Sequence, residues 1–337
     1  MIISWNTTRQ CNQYCKHCYR AAGAERDPNE LSTAEGKSLL EEIAKAGFKI
    51  MVLSGGEPLM RDDIYELSRH GTDQGLRVVL GTNGTLITPE IVRKLKEAGV
   101  ARVGISLDDI DPAVHDEFRQ MKGAWETSVQ GMKYCKEGGL PFQIHTTVTE
   151  RNENVITQMT DVAVELGAAG HHIFFLVPAG RGVDVESESL KAIAYERLLG
   201  RILEKQRDVE IELKPTCAPQ FMRIAKRKGI PMRYTKGCLA GTSYCVITPN
   251  GEVQPCPYLQ LKVGNVRETP FSEIWASNPV FDKLRNTKPS GRCGDCDHES
   301  ICGGCRARAF YYSDGDYMAE EPWCLYRPAG SGSACSG

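Results

Sequence analysis

The sequence predicts an α/β fold: a partial (β/α)6 TIM barrel followed by a small cysteine-rich domain. In the first two-thirds of the 337 residues, a short apolar segment is followed by a segment with helix-capping and helix-stop signals six times over. Such units indicate a parallel sheet with helices outside it. After about residue 211 this periodicity stops, and Cys, Gly and Pro become dense. A region with so little apolar core is expected to need bound metal.

The predicted strands and helices alternate along the chain. The strands are expected at residues 2–6, 49–53, 77–80, 102–107, 142–148 and 173–177. The first helix begins at the capping box of residues 32–35 and ends before Gly47. Thr88 caps another helix, Pro89 lies in its first turn, and Gly99 ends it. Further helices are predicted from about 62 to 75, up to about 136, up to about 166, and over 187–206.

We divide the chain into a barrel (1–210), a cysteine-rich domain (211–328) and a flexible tail or expression scar (329–337). In a barrel of parallel strands, the chemistry takes place at the carboxyl ends of the strands. Unusual residues follow the predicted strands at that end, among them 11–18 after the first strand and 54–58 after the second. We therefore expect the active site there.

The composition is that of a globular protein without a strong charge preference. Hydrophobic residues make up 41% and charged residues 25%, and 41 Lys and Arg against 43 Asp and Glu give a net charge of −2. This balance creates no bulk attraction to nucleic acid or to an anionic membrane. No apolar run of about 18 residues predicts a membrane span, and the first residues do not resemble a secretory signal. We expect a cytoplasmic protein without a nucleic-acid partner.

Cysteine is the unusual residue, because the chain contains 14 of them and 12 of these lie in two groups. Three lie within residues 11–18 and nine within 217–324. In a cytosolic protein of this size, such clusters indicate metal or iron–sulfur ligation rather than disulfides. Cys135 falls in a predicted helix and is expected to be a core residue, and Cys335 in the tail is left out of the chemistry.

The first group places Cys11, Cys15 and Cys18 in eight residues after the first strand. Thiolates select zinc or the iron of clusters, and a structural zinc requires four protein ligands. A four-iron cluster held by three cysteines leaves one iron able to chelate a substrate through an amine and a carboxylate. The alternative is a zinc knuckle completed by His17 or by a remote ligand.

The C-terminal group offers eight thiolates, enough for two four-ligand sites: Cys238, Cys245, Cys256, Cys293, Cys296, Cys302, Cys305 and Cys324. An Asn-Gly turn within residues 246–253 predicts a hairpin that brings Cys245 and Cys256 near one another. Two structural zinc sites are the alternative to two clusters. Cys217 lies in a stiff loop between Pro215 and Pro219. It lines the active site, replaces a cluster ligand, or is a buried structural thiol.

The chain resembles the radical S-adenosylmethionine (SAM) superfamily through its first cysteine group and through Ser-Gly-Gly-Glu-Pro at 54–58. The resemblance implies that a [4Fe–4S] cluster on Cys11, Cys15 and Cys18 reduces SAM to a 5′-deoxyadenosyl radical. It also implies SAM contacts at the strand ends: Gly55, Gly56 and Glu57 at the methionyl amine, then Asn83, Ser106, Asp108, Arg119 and residues 177–182. As alternatives, 55–58 is only a turn, and Ser106 or Asp108 only caps a helix.

The C-terminal cysteines resemble the SPASM auxiliary-cluster domain. This resemblance assigns one [4Fe–4S] cluster to Cys238, Cys245, Cys256 and Cys305, and a second cluster to Cys293, Cys296, Cys302 and Cys324. One spacing departs from the pattern, because two residues rather than three separate Cys302 from Cys305. Because of this difference, Cys305 matches the SPASM pattern less closely than the other seven cysteines.

Over residues 1–328 the chain is similar to the tetrapyrrole-modifying branch of the superfamily, and most similar to its haem synthase type. Residues 215–220, 236–241 and 302–309 carry this likeness. It implies oxidative decarboxylation of two propionates of iron-coproporphyrin III to vinyl groups. The radical would take hydrogen from the propionate β-carbon, and an auxiliary cluster would accept the electron released with carbon dioxide. A low-potential donor such as flavodoxin or ferredoxin is the implied partner.

A substrate with several carboxylates needs fixed cations, and guanidinium binds carboxylate through two hydrogen bonds. We name Arg181 and Cys217 as candidate catalytic residues. Further candidates are Arg223, Arg233, Arg306 and Arg308 for carboxylates, and His145, His171 and His172 for the substrate iron or for protons. Each of these has a solvated or packed alternative. The alternative functions are haem-d1 or didecarboxysiroheme processing, a peptide or sulfatase maturase, and a non-catalytic zinc-binding interaction module.

Overall fold

The computed structural model describes residues 1–328, and the predicted tail at 329–337, including Cys335, lies outside them. The strands are β1 (Ile2–Asn6), β2 (Ile50–Ser54), β3 (Arg77–Thr82), β4 (Arg102–Ser106), β5 (Phe142–Val148), β6 (Gly170–Phe175), β7 (Glu212–Thr216), β8 (Tyr244–Ile247), β9 (Glu252–Gln254) and β10 (Gly264–Asn265). No helix in residues 1–328 has the length and apolar character needed to cross a bilayer.

The helices are α1 (Thr33–Lys45), α2 (Ile64–Asp73), α3 (Pro89–Glu97), α4 (Pro112–Arg119), α5 (Ala124–Glu137), α6 (Ile156–Leu166), α7 (Ala192–Lys205), α8 (Gln220–Lys228), α9 (Phe271–Ser277), α10 (Pro279–Asn286), α11 (Gly291–Gly294), α12 (Glu299–Cys302) and α13 (Arg306–Tyr312). The capping box of α1 is confirmed: Ser32 accepts from the Glu35 amide, and the Glu35 carboxylate accepts from the Ser32 amide. Thr88 caps α3 as expected.

All ten strands belong to one sheet in the order β10-β9-β8-β1-β2-β3-β4-β5-β6-β7. The neighbours from β8 through β1 to β7 are parallel, whereas β9 and β10 are antiparallel. The parallel α/β arrangement is confirmed, and the sheet extends beyond the six expected strands. Strand β7 contains Pro215, which weakens its sequence signal and is tolerated because β7 is an edge strand.

The sheet runs across the predicted domain boundary at residue 210, so the division into two domains remains a prediction. Strand β8 of the hairpin pairs with β1, with Cys245 opposite Ile3. The predicted hairpin itself is confirmed, because β8 and β9 are antiparallel and Gly251 in their turn has a φ of +88°.

The cysteine-rich region shares the apolar core of the barrel. Phe48 contacts Phe271 and Trp275 edge-on, with ring centroids 5.4 and 5.0 Å away. On the far side, Trp323 packs with α7 and α8 in a second buried cluster. Burial of these aromatic side chains stabilises the region in addition to any bound metal.

Candidate active site and cysteine sites

The first cysteine group lies in the loop after β1. Cys11 and Cys15 are each 8% exposed, and Cys18 is partly buried. Backbone amides point at the sulfurs, since Gln13 N donates to Cys11 Sγ (3.4 Å) and Ala22 N to Cys18 Sγ (3.4 Å). Burial, with smaller contributions from the neighbouring thiols, raises the pKa of Cys11 to about 12. A buried thiolate of this kind needs a positive partner, which cluster iron would supply.

Gly55 and Gly56 allow the backbone after β2 to pack against the start of the cysteine loop. A Cβ on Gly55 would lie 2.5 Å from Thr8 O, and one on Gly56 would lie 2.2 Å from Gln10 O. Gly56 N donates to Thr8 O and Glu57 N to Gln10 O, both at 2.7 Å. The two glycines therefore let the backbone after β2 hold the cysteine loop against the sheet, and their predicted contact with SAM stays a prediction.

Glu57 is fully buried, and its carboxylate is hydrogen-bonded to other groups of the protein. It accepts hydrogen bonds from Thr82 Oγ1 (2.8 Å), Asn83 N (2.8 Å) and Leu59 N (3.1 Å). Burial raises the pKa of Glu57 to about 7, against the effect of these bonds. Asn83 Nδ2 in turn donates to Asn12 Oδ1 and lies 4.0 Å from Cys11 Sγ. Glu57 thus positions the end of β3, and a direct contact with the methionyl amine stays a prediction.

Asp108 and Arg119 form a buried ion pair beside the cysteine loop. Arg119 Nε donates to Asp108 Oδ2 at 2.6 Å, and Arg119 Nη1 lies 3.8 Å from Cys15 Sγ. Although burial alone would raise the pKa of Asp108, Arg119 and nearby histidines lower it to about 2. The pair is therefore charged, with its cation directed at a loop sulfur. Ser106 ends β4 and is partly exposed.

Arg181 holds the cysteine loop in place. Its Nε donates to Cys15 O (2.9 Å), its Nη1 donates to Ala22 O (2.7 Å), and its guanidinium stacks 3.7 Å from the Tyr14 ring centroid. These contacts use two of its donor groups on the loop backbone. The structure thus gives Arg181 a positioning role, and its predicted role in catalysis stays untested.

Four cysteines, one directly after β7 and three from the C-terminal region, lie near one another, and we call them the inner set: Cys217, Cys238, Cys256 and Cys305. Cys217, Cys256 and Cys305 share one apolar cluster. Cys238 N donates to Cys302 O at 3.3 Å, and the Cys305 thiol interacts electrostatically with Cys238. Burial is the main cause that raises the pKa of Cys305 to about 11. Three of these four were predicted to share a cluster.

Cys245 does not lie with the thiols of the inner set, although the hairpin brings the chain at residues 245 and 256 together as predicted, with Val246 opposite Gln254. It is fully buried in the apolar core that contains Ile3 and Trp5, and Arg285 is the charged group that acts on its thiol. Side chains alternate between the faces of a strand. The adjacent Tyr244 accordingly lies on the other face, where its hydroxyl donates to Ser4 Oγ at 2.8 Å.

The second C-terminal site, which we call the outer set, contains the four predicted cysteines, Cys293, Cys296, Cys302 and Cys324, which line one cavity. Gly303 and Gly304 have φ values of +72° and +62°, and a Cβ on Gly304 would lie 3.2 Å from Cys293 Sγ. Two successive left-handed glycines therefore let the shortened Cys302-to-Cys305 segment supply one thiol to each set.

Two arginines contact thiols of the outer set. Arg223 Nη2 lies 3.9 Å from Cys324 Sγ, and Arg306 Nη2 lies 3.9 Å from Cys293 Sγ. Within residues 1–328, no three Cys, His, Asp or Glu side chains are arranged to hold a single metal ion.

A buried ion pair links the inner and outer sets, a feature that the sequence analysis missed. Arg308 Nε donates to Glu321 Oε1 at 2.7 Å, and both side chains are fully buried. Glu321 N donates to Cys293 Sγ (3.2 Å), and Glu321 Oε2 accepts from Cys305 N (2.7 Å). Arg308 also donates to Cys217 O at 3.0 Å. These contacts show a bridging role for Arg308.

The candidate histidines lie within the sheet. His171 hydrogen-bonds to Thr160 and Thr146 and is a packed core residue. His145 and His172 stack with their ring centroids 5.4 Å apart, and Gln143 contacts both rings.

Two further predicted residues lie apart from the histidines. Cys135 is a buried core residue of α5, as predicted. Arg233 is exposed.

Profiles of two known protein families match the chain. The Radical SAM superfamily profile matches residues 5–162, and the SPASM iron-sulfur cluster-binding domain profile matches residues 238–297. An AdoMet-dependent heme synthase of Methanosarcina barkeri is 47% identical, over 97% of both chains. The chain belongs to the radical SAM superfamily. It is therefore an enzyme that uses SAM and [4Fe–4S] clusters, and the buried thiols and their amide donors suit those clusters.

Other relatives agree with this placement. A Fe-coproporphyrin III synthase of M. barkeri is 34% identical, over 96% of this chain and 87% of the relative. Among solved structures, Streptococcus suis SuiB bound to S-adenosylmethionine superposes with a TM-score of 0.77, over 96% of this chain and 77% of SuiB. At 19% identity, the likeness to SuiB shows the fold alone.

Proposed function

We propose that this radical SAM enzyme converts two propionate side chains of iron-coproporphyrin III to vinyl groups and so produces haem. The observation that carries the proposal is the 47% identity, over 97% of both chains, to an AdoMet-dependent heme synthase. The loop of Cys11, Cys15 and Cys18 agrees with it, because three protein thiols leave one iron of a four-iron cluster for SAM.

The proposed reaction needs a radical source and an electron acceptor, and we assign these roles to two of the thiol sets. When bound, the loop cluster and SAM supply a 5′-deoxyadenosyl radical that takes a hydrogen atom from the propionate β-carbon. The substrate then loses carbon dioxide and one electron, and the β-carbon and α-carbon become a vinyl group. The inner set combines one thiol directly after β7 with three from the C-terminal region, and a cluster held there suits the role of electron acceptor.

The chain's own residues hold the reacting groups. Arg181 fixes the loop backbone, and Arg119 directs its charge to Cys15 Sγ while Asp108 keeps it in place. Glu57 fixes Asn83 near Cys11. These contacts are made within the protein itself, and groups held in this way need little rearrangement during a reaction.

We further propose that the electron carrier is a small acidic protein such as flavodoxin or ferredoxin. A groove of about 560 Å³ lies between α7 and α8, and it is lined by Glu196, Arg197, Gly200, Arg201, Glu204, Arg223, Ile224, Arg227 and Lys228. Its five cations outnumber its two carboxylates, which favours an acidic partner. Arg223 connects the groove to the outer set through its contact with Cys324.

The substrate assay tests the proposal directly. The enzyme is incubated anaerobically with SAM, a reductant and iron-coproporphyrin III, and the products are analysed by mass spectrometry. We expect the loss of two molecules of carbon dioxide and four hydrogen atoms, two from each propionate, together with the formation of deoxyadenosine. No mass change with this substrate, alongside turnover of didecarboxysiroheme or of a peptide, would assign the enzyme to a neighbouring activity.

A further inference from the structure

We propose that Cys217 is the fourth thiolate of the auxiliary cluster held by the inner set, and that Cys245 is not a ligand of any cluster. The proposal concerns the metal site and rests on the SPASM-type clusters, not on the identity of the tetrapyrrole. It replaces the role in catalysis that the sequence suggested for Cys217.

The backbone around Cys217 is fixed to the backbone of two other members of the set. Arg308, in the helix that follows Cys305, donates to Cys217 O at 3.0 Å. On the other side of Cys217, Pro219 packs closely against Gly237. A Cβ on Gly237 would lie 2.6 Å from Pro219 O. Gly237 immediately precedes Cys238. Cys217 is therefore held between the segments that carry Cys238 and Cys305.

The Cys217 side chain lies among the other sulfurs of the set. It belongs to the apolar cluster that contains Cys256 and Cys305, and its thiol lies within electrostatic range of both and of Cys238. Four thiols grouped at one site match a closed four-iron cluster, in which each iron takes one thiolate.

The backbone of Cys217 is strained in a way that a packing role does not require. Its φ is +59°, in the left-handed region that is unfavourable for a non-glycine residue. The position follows edge strand β7, and it directs the chain from the sheet toward α8. Such strain persists where the surrounding structure imposes it, and it is concentrated at functional sites.

Cys245 lacks each of these features. It is a regular residue of β8, paired with Ile3 and packed with the apolar core on the face opposite Tyr244. A buried cysteine in such surroundings behaves as a small apolar residue. Valine can fill the same position, although it cannot bind iron.

The test compares Cys217→Gly with Cys245→Val in anaerobically purified, reconstituted full-length enzyme. Glycine suits a positive φ, so the loss of iron in that variant cannot be attributed to backbone strain. We expect Cys245→Val to retain about 12 iron atoms per chain, like the parent. Cys217→Gly should retain only about 8 to 11, depending on whether the inner cluster is lost or becomes a [3Fe–4S] cluster.

Spectroscopy identifies the affected cluster, and SAM cleavage separates this proposal from the proposed function. Cys217→Gly should alter one auxiliary signal in the electron paramagnetic resonance and Mössbauer spectra, while SAM is still cleaved to deoxyadenosine. Selective loss of an auxiliary signal in Cys245→Val, or a parent-like spectrum in Cys217→Gly, would overturn the proposal. Failure of the iron-coproporphyrin III assay in the parent enzyme would not affect either iron measurement.

Discussion

The cysteine loop and the inner set arrange their thiols in opposite ways. The loop supplies three thiols from eight consecutive residues, and its neighbours are polar groups such as Asn83 and the Asp108–Arg119 pair. The inner set brings four thiols together from four separate parts of the chain, among apolar neighbours such as Val177 and Leu259. A three-thiol site leaves an iron open for SAM, whereas a four-thiol site is closed and suited to electron transfer.

The largest effect should come from removing the loop thiols. Replacing Cys11, Cys15 and Cys18 together with Ala should abolish deoxyadenosine formation, because the iron that binds SAM is lost. About 8 iron atoms per chain should remain on the two auxiliary sites. Chromatographic assay of deoxyadenosine and colorimetric iron analysis check the two parts. If the triple variant still cleaved SAM, the contrast between an open and a closed site would be wrong.

A large loss of stability should follow when the ion pair between the inner and outer sets is broken. Glu321→Gln leaves the Arg308 guanidinium buried without its carboxylate, which costs about 3–5 kcal/mol. Although burial alone would lower the pKa of Arg308, Glu321 holds it well above its usual value. We expect a lower Tm under anaerobic conditions and a loss of auxiliary iron, with the loop cluster retained.

Glu320→Gln is the matched control for that variant. Glu320 is the next residue before Glu321 and pairs with Arg292 at 2.7 Å, but its side chain is 40% exposed. An exposed pair of this kind contributes at most about 1 kcal/mol. Equal Tm values for the two variants would show that the Arg308–Glu321 pair does not hold the inner and outer sets together.

The same contrast explains what could be predicted from the sequence. The three loop cysteines and the glycines at 55 and 56 are local patterns, and the structure places them after the expected strands β1 and β2. The capped helices are local patterns as well, and their caps form as expected. The membership of the inner set depends on long-range packing, because β8 pairs with β1 and turns Cys245 into the core. Strand alternation, applied to Tyr244 and Cys245, was the available signal for that orientation.

Partners buried within the protein also escaped prediction. The sequence named Glu57, Arg181 and Arg308 as candidates for the site, but it did not show that their charged groups are engaged by other groups of the protein. Such contacts join residues far apart in the chain. Their geometry follows from the assembled fold, and no local spacing encodes it.

The smallest effect should come from the basic groove beside the outer set. Arg197 and Arg227 line the groove and are exposed, so Arg197→Gln combined with Arg227→Gln should leave folding and iron content unchanged. With flavodoxin or ferredoxin as carrier, the turnover rate at low salt should fall about three- to tenfold, because electrostatic steering is weakened. The difference should shrink at high salt, where the exposed charges are screened.

A small chemical reductant and a second charge-matched variant give this last comparison its meaning. Dithionite does not need a docking surface, so turnover with it should be equal in parent and variant. Arg69→Gln combined with Arg77→Gln removes the same charge from exposed positions on α2 and β3, outside the groove, and should leave carrier-dependent turnover at the parent rate. A similar loss in both double variants would mean that net charge alone attracts the carrier. The basic groove beside the outer set would then have no specific role in docking the carrier.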